Sequence, residues 1–256
     1  MNKEIVIKKL YFPGSLNELS GHLVLSQAEP RAYAIYVHCF TCSKDHHSSR
    51  RISTELAQQG IATLRFDLTG LGESQGDFAG TNFTTNVQDI IAAAQYLKYQ
   101  YKPATLLIGH SLGGTASLVA ATQLEEMRAV VTLNSPYDPA HVAKRVASVK
   151  DEVFIHGEAA VQIEGRQFRI QKHFFEVLEH YNMEQILASL KAALLVMHAP
   201  KDPVVHIRNA SQIFSSASHP KSFISLERMD HLLTDPKDAL YIANLINAWA
   251  SRYIDA

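Results

Sequence analysis

From residue 34 onward the chain alternates short, mostly apolar runs with helix-length segments, and this rhythm restricts it to an α/β layer architecture. Ala34-Ile35-Tyr36-Val37, Ala62 to Phe66, Leu106-Leu107-Ile108 and Ala129 to Leu133 read as strands covered on both faces, as parallel sheets require. Helical segments are expected between them at about Ser48 to Gln59, Asn86 to Tyr99 and Leu112 to Leu124, with Gly60 as a stop signal for the first. Strands joined through helices cross over with one hand and lie parallel. Ahead of this region, Ile5, Ile7 and Leu10 to Phe12, then Leu19 to Leu25, alternate around a Pro13-Gly14 turn signal. That pattern predicts an antiparallel opening hairpin.

The rhythm stops at Ser135-Pro136 and is absent to about Ser189, a stretch dotted with Phe154, Phe168, Phe174, Phe175 and Tyr181. It resumes with strands at Ala193 to Met197 and Ser222 to Leu226, and helices at Ile207 to Ala217 and Pro236 to Tyr253. Neither flank completes a sheet alone, so the reading is one α/β domain over 1–256 with a cap insertion at about 136–190.

Composition excludes several classes. A formal net charge of −1 gives no field to draw in nucleic acid or an anionic membrane. The charged and apolar alternation of the first twelve residues is unlike a signal peptide, and no run approaches the roughly 18 apolar residues needed to span a bilayer. A cytoplasmic location is the expectation. Of the 13 histidines only His46-His47 are adjacent, without the spaced partners of a metal site, so none is expected. The two cysteines, Cys39 and Cys42, form one C-x-x-C. That spacing can mark a redox pair; the reading preferred here is two thiols filling a turn after a buried strand, in a reducing compartment.

Gly109-His110-Ser111-Leu112-Gly113 matches G-x-S-x-G and lies between a predicted strand and a predicted helix. A nucleophilic serine needs that context, because a sharp strand-to-helix turn exposes its hydroxyl and demands small neighbours. The helix beneath presents unpaired N–H groups and a partial positive charge where an oxyanion would form. A serine also needs a base and an orienting carboxylate. Asp202, after the strand at 193–197, and His231, after the strand at 222–226, stand in the chain order Ser, Asp, His that such turns use. Both would emerge at the carboxyl edge of the sheet, where open α/β sheets gather their reactive groups. The N–H of Leu112 and an N–H from the loop His38 to Thr41, with Phe40 preferred to Cys39, are the expected oxyanion donors. The Gly70-Leu71-Gly72 loop lacks the third glycine of a dinucleotide fingerprint at the right place and reads as a tight turn beside the cleft.

With these residues in view, the chain resembles the α/β-hydrolase superfamily. The blocks HCFTCSKD at 38–45, LRFDLTGLGESQGDF at 64–78, LIGHSLGG at 107–114 and HPKSFISL at 219–226 look like one group within it. That group is the N-terminal hydrolase half of proteins in which an esterase-like domain precedes an OsmC-type domain. The resemblance implies the α/β-hydrolase fold, Ser111, Asp202 and His231 as triad, Phe40 and Leu112 as oxyanion donors, and hydrolysis of carboxylic esters. This sequence runs to Ala256, just past the last predicted helix, so the OsmC-type domain is expected to be absent from it. The expected substrate is a short-chain or aromatic ester, with no cofactor and neither nucleic acid nor membrane as partner. The alternatives are a thioesterase, lactonase or peptidase using the same triad, a thiol redox protein, or a scaffold without catalysis.

Overall fold

The computed structural model describes residues 4–255; Met1 to Lys3 and Ala256, which the one-domain reading includes, lie outside the described residues. The chain opens with β1 (Ile5–Pro13) and β2 (Glu18–Ser26), paired antiparallel across a short turn. β3 (Ala32–Val37), α1 (His47–Gln58), β4 (Ile61–Phe66), α2 (Phe83–Gln100), β5 (Leu106–His110), α3 (Leu112–Ala121) and β6 (Ala129–Leu133) then alternate. After a long excursion the alternation returns as β9 (Ala193–His198), α7 (Arg208–Ser216), β10 (Lys221–Ser225) and α8 (Pro236–Ile254). These strands form one eight-stranded sheet in the order β1-β2-β4-β3-β5-β6-β9-β10. All neighbours from β4 to β10 are parallel, and β2 is the reversed strand, antiparallel to both β1 and β4.

The period-two alternation of side chains divides each strand between two cores. Tyr33, Ile35 and Val37 of β3 face the layer of α2, α3 and α7. Ala32, Ala34 and Tyr36 face the layer of α1 and α8, against Ile52, Leu56, Ile242 and Ile246. Because both faces are covered, β3 is buried along its whole length. Truncating one of these fully buried aliphatics, such as Ile35→Ala, costs about 2–5 kcal/mol. The helix ends are set locally: Asn82 and Thr85 form a reciprocal capping box for α2, and Asp235 caps α8 ahead of Pro236.

Between β6 and β9 the chain adds no strand to the main sheet. It forms a 3₁₀ stretch (Pro139–Val149), α4 (Lys150–His156), a hairpin of β7 (Glu158–Ile163) and β8 (Arg166–Gln171), α5 (Lys172–Glu176) and α6 (Met183–Ser189). The hairpin is hard to read as a strand pair because its alternation is blurred: the apolar Ala160 faces out on β7, and Ile170 is the one buried residue of β8. Ala159, Val161, Ile163 and Ile170 turn inward and join the α2–α3 core, while Arg166 and Arg169 face out. α3 also ends earlier than its apolar run suggests: the chain turns after Ala121 instead of continuing to Leu124. No helix among the described residues is long and apolar enough to cross a membrane.

Candidate active site

Ser111 stands between β5 and α3 with φ 53 and ψ −127, a conformation that L residues enter only under constraint. The constraint is visible in the sequence around it. A Cβ on Gly109 would run into the backbone of Gly113 and Gly114, and a Cβ on Gly113 into the carbonyl of His38. Glycine at both places lets β5, the turn and α3 close on each other. The Ser111 N–H donates to Leu133 O of β6 at 2.8 Å, which ties the strained turn to the neighbouring strand.

Asp202 and His231 arrive from the loops after β9 and β10. His231 Nε2 lies 3.2 Å from Ser111 Oγ, and its Nδ1 lies 2.7 Å from Asp202 Oδ2. All three are largely buried. With a carboxylate at Nδ1, that nitrogen carries the ring proton and Nε2 is left to accept from the hydroxyl. The other oxygen, Asp202 Oδ1, accepts the N–H groups of Val204 and Val205 at 2.7 and 2.9 Å. Burial by itself would raise the pKa of Asp202. The hydrogen bonds from His231, Val205 and Val204 outweigh it and hold the carboxyl below its usual value, so it stays ionised beside the imidazole. Asp230, the sequence neighbour of His231, turns instead to Thr234, whose N–H and hydroxyl it accepts.

Phe40, Cys39 and Leu112 border the same pocket as Ser111 and His231. The N–H groups of Phe40 and Leu112 make no hydrogen bond to the described residues. His38 orients the first of them. Its Nε2 accepts the N–H of Leu68 at 3.2 Å, so its proton sits on Nδ1 and donates to Cys39 O at 2.8 Å. That carbonyl and the Phe40 N–H belong to one rigid peptide unit and point in opposite directions. Burial lowers the His38 pKa and keeps the ring neutral. The Gly70-Leu71-Gly72 loop does not line the pocket. It folds back on Asp67, which follows β4 and accepts the Glu73 N–H at 2.9 Å and both the N–H and the Nζ of buried Lys44 at 2.6 and 2.8 Å.

Cys39 and Cys42 are joined by a disulfide, which corrects the expectation of two free thiols. The Cys42 N–H donates to Cys39 O at 3.1 Å, and that turn brings the two Cα atoms to 5.3 Å, inside the range a disulfide spans. Among the described residues, no group of three His, Cys, Asp or Glu side chains is spaced to hold a metal ion.

Two further residues carry weight here that sequence reasoning missed. Asn134 follows β6, is fully buried and has φ 48. Its Nδ2 donates to the carbonyls of Asp230 and His231, both at 3.1 Å, while its Oδ1 accepts the Ala199 N–H at 2.8 Å. One amide thus ties the His231 loop to the loop that leads to Asp202. His110 Nε2 donates to His231 O at 2.7 Å; burial, then the nearby His231, push its pKa down to about 3, so it serves as a neutral donor. The only sequence signal was position, directly after a parallel strand and directly before the candidate nucleophile.

The pocket over Ser111 has a cavity volume of about 100 Å³ and a mostly apolar wall, including Pro136, Val142, Val204 and Leu232. The segment between β6 and β9 supplies part of that wall, Arg145 and Glu164 included. A hydrogen-bonded Ser, His and carboxylate beside two free N–H groups can transfer an acyl group.

The family model for serine aminopeptidase, S33 (Hydrolase_4) matches residues 28–169. Among solved structures, the esterase domain of a Rhodothermus marinus protein is 41% identical, with 97% of this chain and 99% of that chain covered and a TM-score of 0.78. Est1E from Butyrivibrio proteoclasticus with ferulic acid bound is 18% identical, covers 96% and 100%, and gives a TM-score of 0.81. Mouse alpha/beta hydrolase domain-containing protein 10 is 20% identical, covers 96% and 99%, and gives 0.77. No curated protein matches the sequence significantly.

Proposed function

Because the chain belongs to the Hydrolase_4 (serine aminopeptidase, S33) family of α/β hydrolases, we propose that it is a serine esterase acting on short-chain or aromatic carboxylic esters. The observation that carries this reading is the unbroken hydrogen-bond chain from Ser111 through His231 to Asp202 at the floor of a small apolar pocket. Ser111 Oγ attacks the ester carbonyl carbon as its proton passes to His231 Nε2. The tetrahedral oxyanion is held by the N–H groups of Phe40 and Leu112. Collapse breaks the bond to the alkoxide, which leaves with the proton from His231, and a water activated by the same imidazole then releases the acid. Asp202 holds the ring in the required tautomer and stabilises the imidazolium.

An aminopeptidase must hold a free α-ammonium near the nucleophile, which calls for an unpaired carboxylate in the pocket. The carboxylate in this lining, Glu164, is already paired with Arg145 at 2.8 Å. The pocket therefore favours the ester reading, as does the 41% identity to a chain described as an esterase domain. The likeness to the hydrolase half of OsmC-type fusion proteins, the cap role of about 136–190 and the cytoplasmic location belong to the same proposal.

The test is fluorophosphonate labelling with mapping of the modified residue, followed by an ester panel. Labelling at Ser111 and a higher kcat/KM for a butyryl than for a palmitoyl ester are expected, since the apolar wall of Pro136, Val142, Val204 and Leu232 around Ser111 suits a short acyl group. Faster cleavage of an aminoacyl amide than of every ester would replace this reading with the peptidase one.

A further inference from the structure

The apolar wall of the pocket is interrupted by one charged pair. Arg145, from the 3₁₀ stretch Pro139–Val149, donates through Nη2 to Oε1 of Glu164, at the β7–β8 turn, at 2.8 Å. The two charges cancel. The bond uses one of the five N–H donors of the guanidinium and one oxygen of the carboxylate, and neither side chain makes another hydrogen bond to the described residues. Both are half-exposed and both line the pocket, so spare donors and a spare acceptor stand side by side in its wall. Arg145 and Glu164 line the same pocket as Ser111 and His231, so an ester bound there shares the pocket with this pair.

We propose that the part of the ester lying on this side carries an uncharged hydrogen-bonding group, a hydroxyl foremost, recognised jointly by Arg145 and Glu164. This rests on the esterase reading above and adds the polarity of the substrate to it. A hydroxyl donates to the free carboxylate oxygen and accepts from a free guanidinium N–H without disturbing the ion pair. A carboxylate in the same place faces Glu164, and an ammonium faces Arg145. A methyl group strips water from both without replacing a bond. The neutral pair thus selects against both signs of charge as well as for a hydroxyl.

The experiment compares kcat/KM for methyl phenylacetates bearing a hydroxyl, methyl, carboxylate or aminomethyl group in the para position. The leaving group is the same throughout. Wild type is expected to prefer the hydroxyl over the methyl ester by about threefold to tenfold, the scale of a half-exposed polar contact. The two charged esters should rank last. Glu164→Gln leaves Arg145 unopposed and should raise the carboxylate ester relative to the aminomethyl ester by about tenfold; Arg145→Met should move that ratio the other way. Both side chains lie at the surface, and circular dichroism is the check that the variants fold. Equal rates for hydroxyl and methyl esters, or a charge ranking unmoved in both variants, would overturn the proposal. A wild-type protein that hydrolyses none of these esters and takes no fluorophosphonate would instead remove the esterase reading and this proposal with it.

Discussion

The loops at the carboxyl edge of the sheet and the segment between β6 and β9 are built on opposite principles. In the first, buried polar groups are cross-bonded: Asp202 accepts from His231 and two backbone N–H groups, and the His231 carbonyl receives both His110 and Asn134. In the second, the charged contact at the pocket is one half-exposed ion pair, Arg145–Glu164, and burial rests on aliphatic and aromatic side chains turned toward α2 and α3. Buried, fully satisfied networks have one low-energy arrangement, because any rearrangement strands a polar group. Half-exposed pairs can exchange partners with water at little cost. The difference teaches where each task belongs: the proposed chemistry sits in the over-determined region, and the proposed selectivity in the permissive one.

The largest effect expected from breaking this division is at the nucleophile. Ser111→Ala should lower kcat by orders of magnitude, leaving at most roughly 10³-fold over water from the oxyanion donors and binding. Circular dichroism should still show a folded protein. Near-normal esterase activity in that variant would end the catalytic assignment.

The next contrast sets two adjacent carboxylates against each other. Asp202→Asn removes the charge behind the imidazole and should cost at least about 10²-fold in kcat. Asp230→Asn should cost less than about tenfold, since Asp230 bonds Thr234 and not the ring. Kinetics of both variants on one short-chain ester decide between them, and reversed losses would reassign the acid.

Asn134 tests whether the supporting bonds matter as much as the triad contacts. Asn134→Ser cannot reach the carbonyls of Asp230 and His231, and should lower kcat per fluorophosphonate-titrated site by about tenfold to 100-fold, with a smaller change in KM. Normalising to titrated sites separates a misplaced imidazole from a loss of folded protein. A kcat within twofold of wild type would show that His110 alone holds the loop.

The smallest effect concerns stability against pH. His110 is buried neutral, with its pKa lowered from 6.5 to about 3. Below about 6.5 the unfolded chain takes up a proton that the folded one refuses, so stability falls as pH drops through that window. His110→Gln keeps a donor toward His231 O but cannot titrate. Its denaturant midpoints between pH values near neutrality and near 4 should therefore fall less steeply than those of wild type. Parallel slopes would assign the acid sensitivity to the other buried histidines, His38 and His198, whose pKa values burial also lowers.

The residues by themselves determined the parts that depend on local backbone chemistry and on period. Apolar runs alternating with helical segments make a parallel sheet with two covered faces. The glycines around Ser111 make a turn that few other residues could close, and the order Ser, Asp, His follows from which strands those residues trail. Only the tertiary structure decided the rest. Asn134 meets its partners 65, 96 and 97 residues away, and His110 meets the His231 carbonyl across 121. No window of sequence contains such contacts, and a buried Asn or His reads as unremarkable until its partners are in place. The same holds for Arg145 and Glu164, which lie 19 apart and meet in the pocket wall only because the β7–β8 turn packs beside the 3₁₀ stretch. Patterning specifies faces and turns. Which polar groups end up sharing a pocket is settled by how the loops pack, since each buried donor must find an acceptor wherever the fold supplies one.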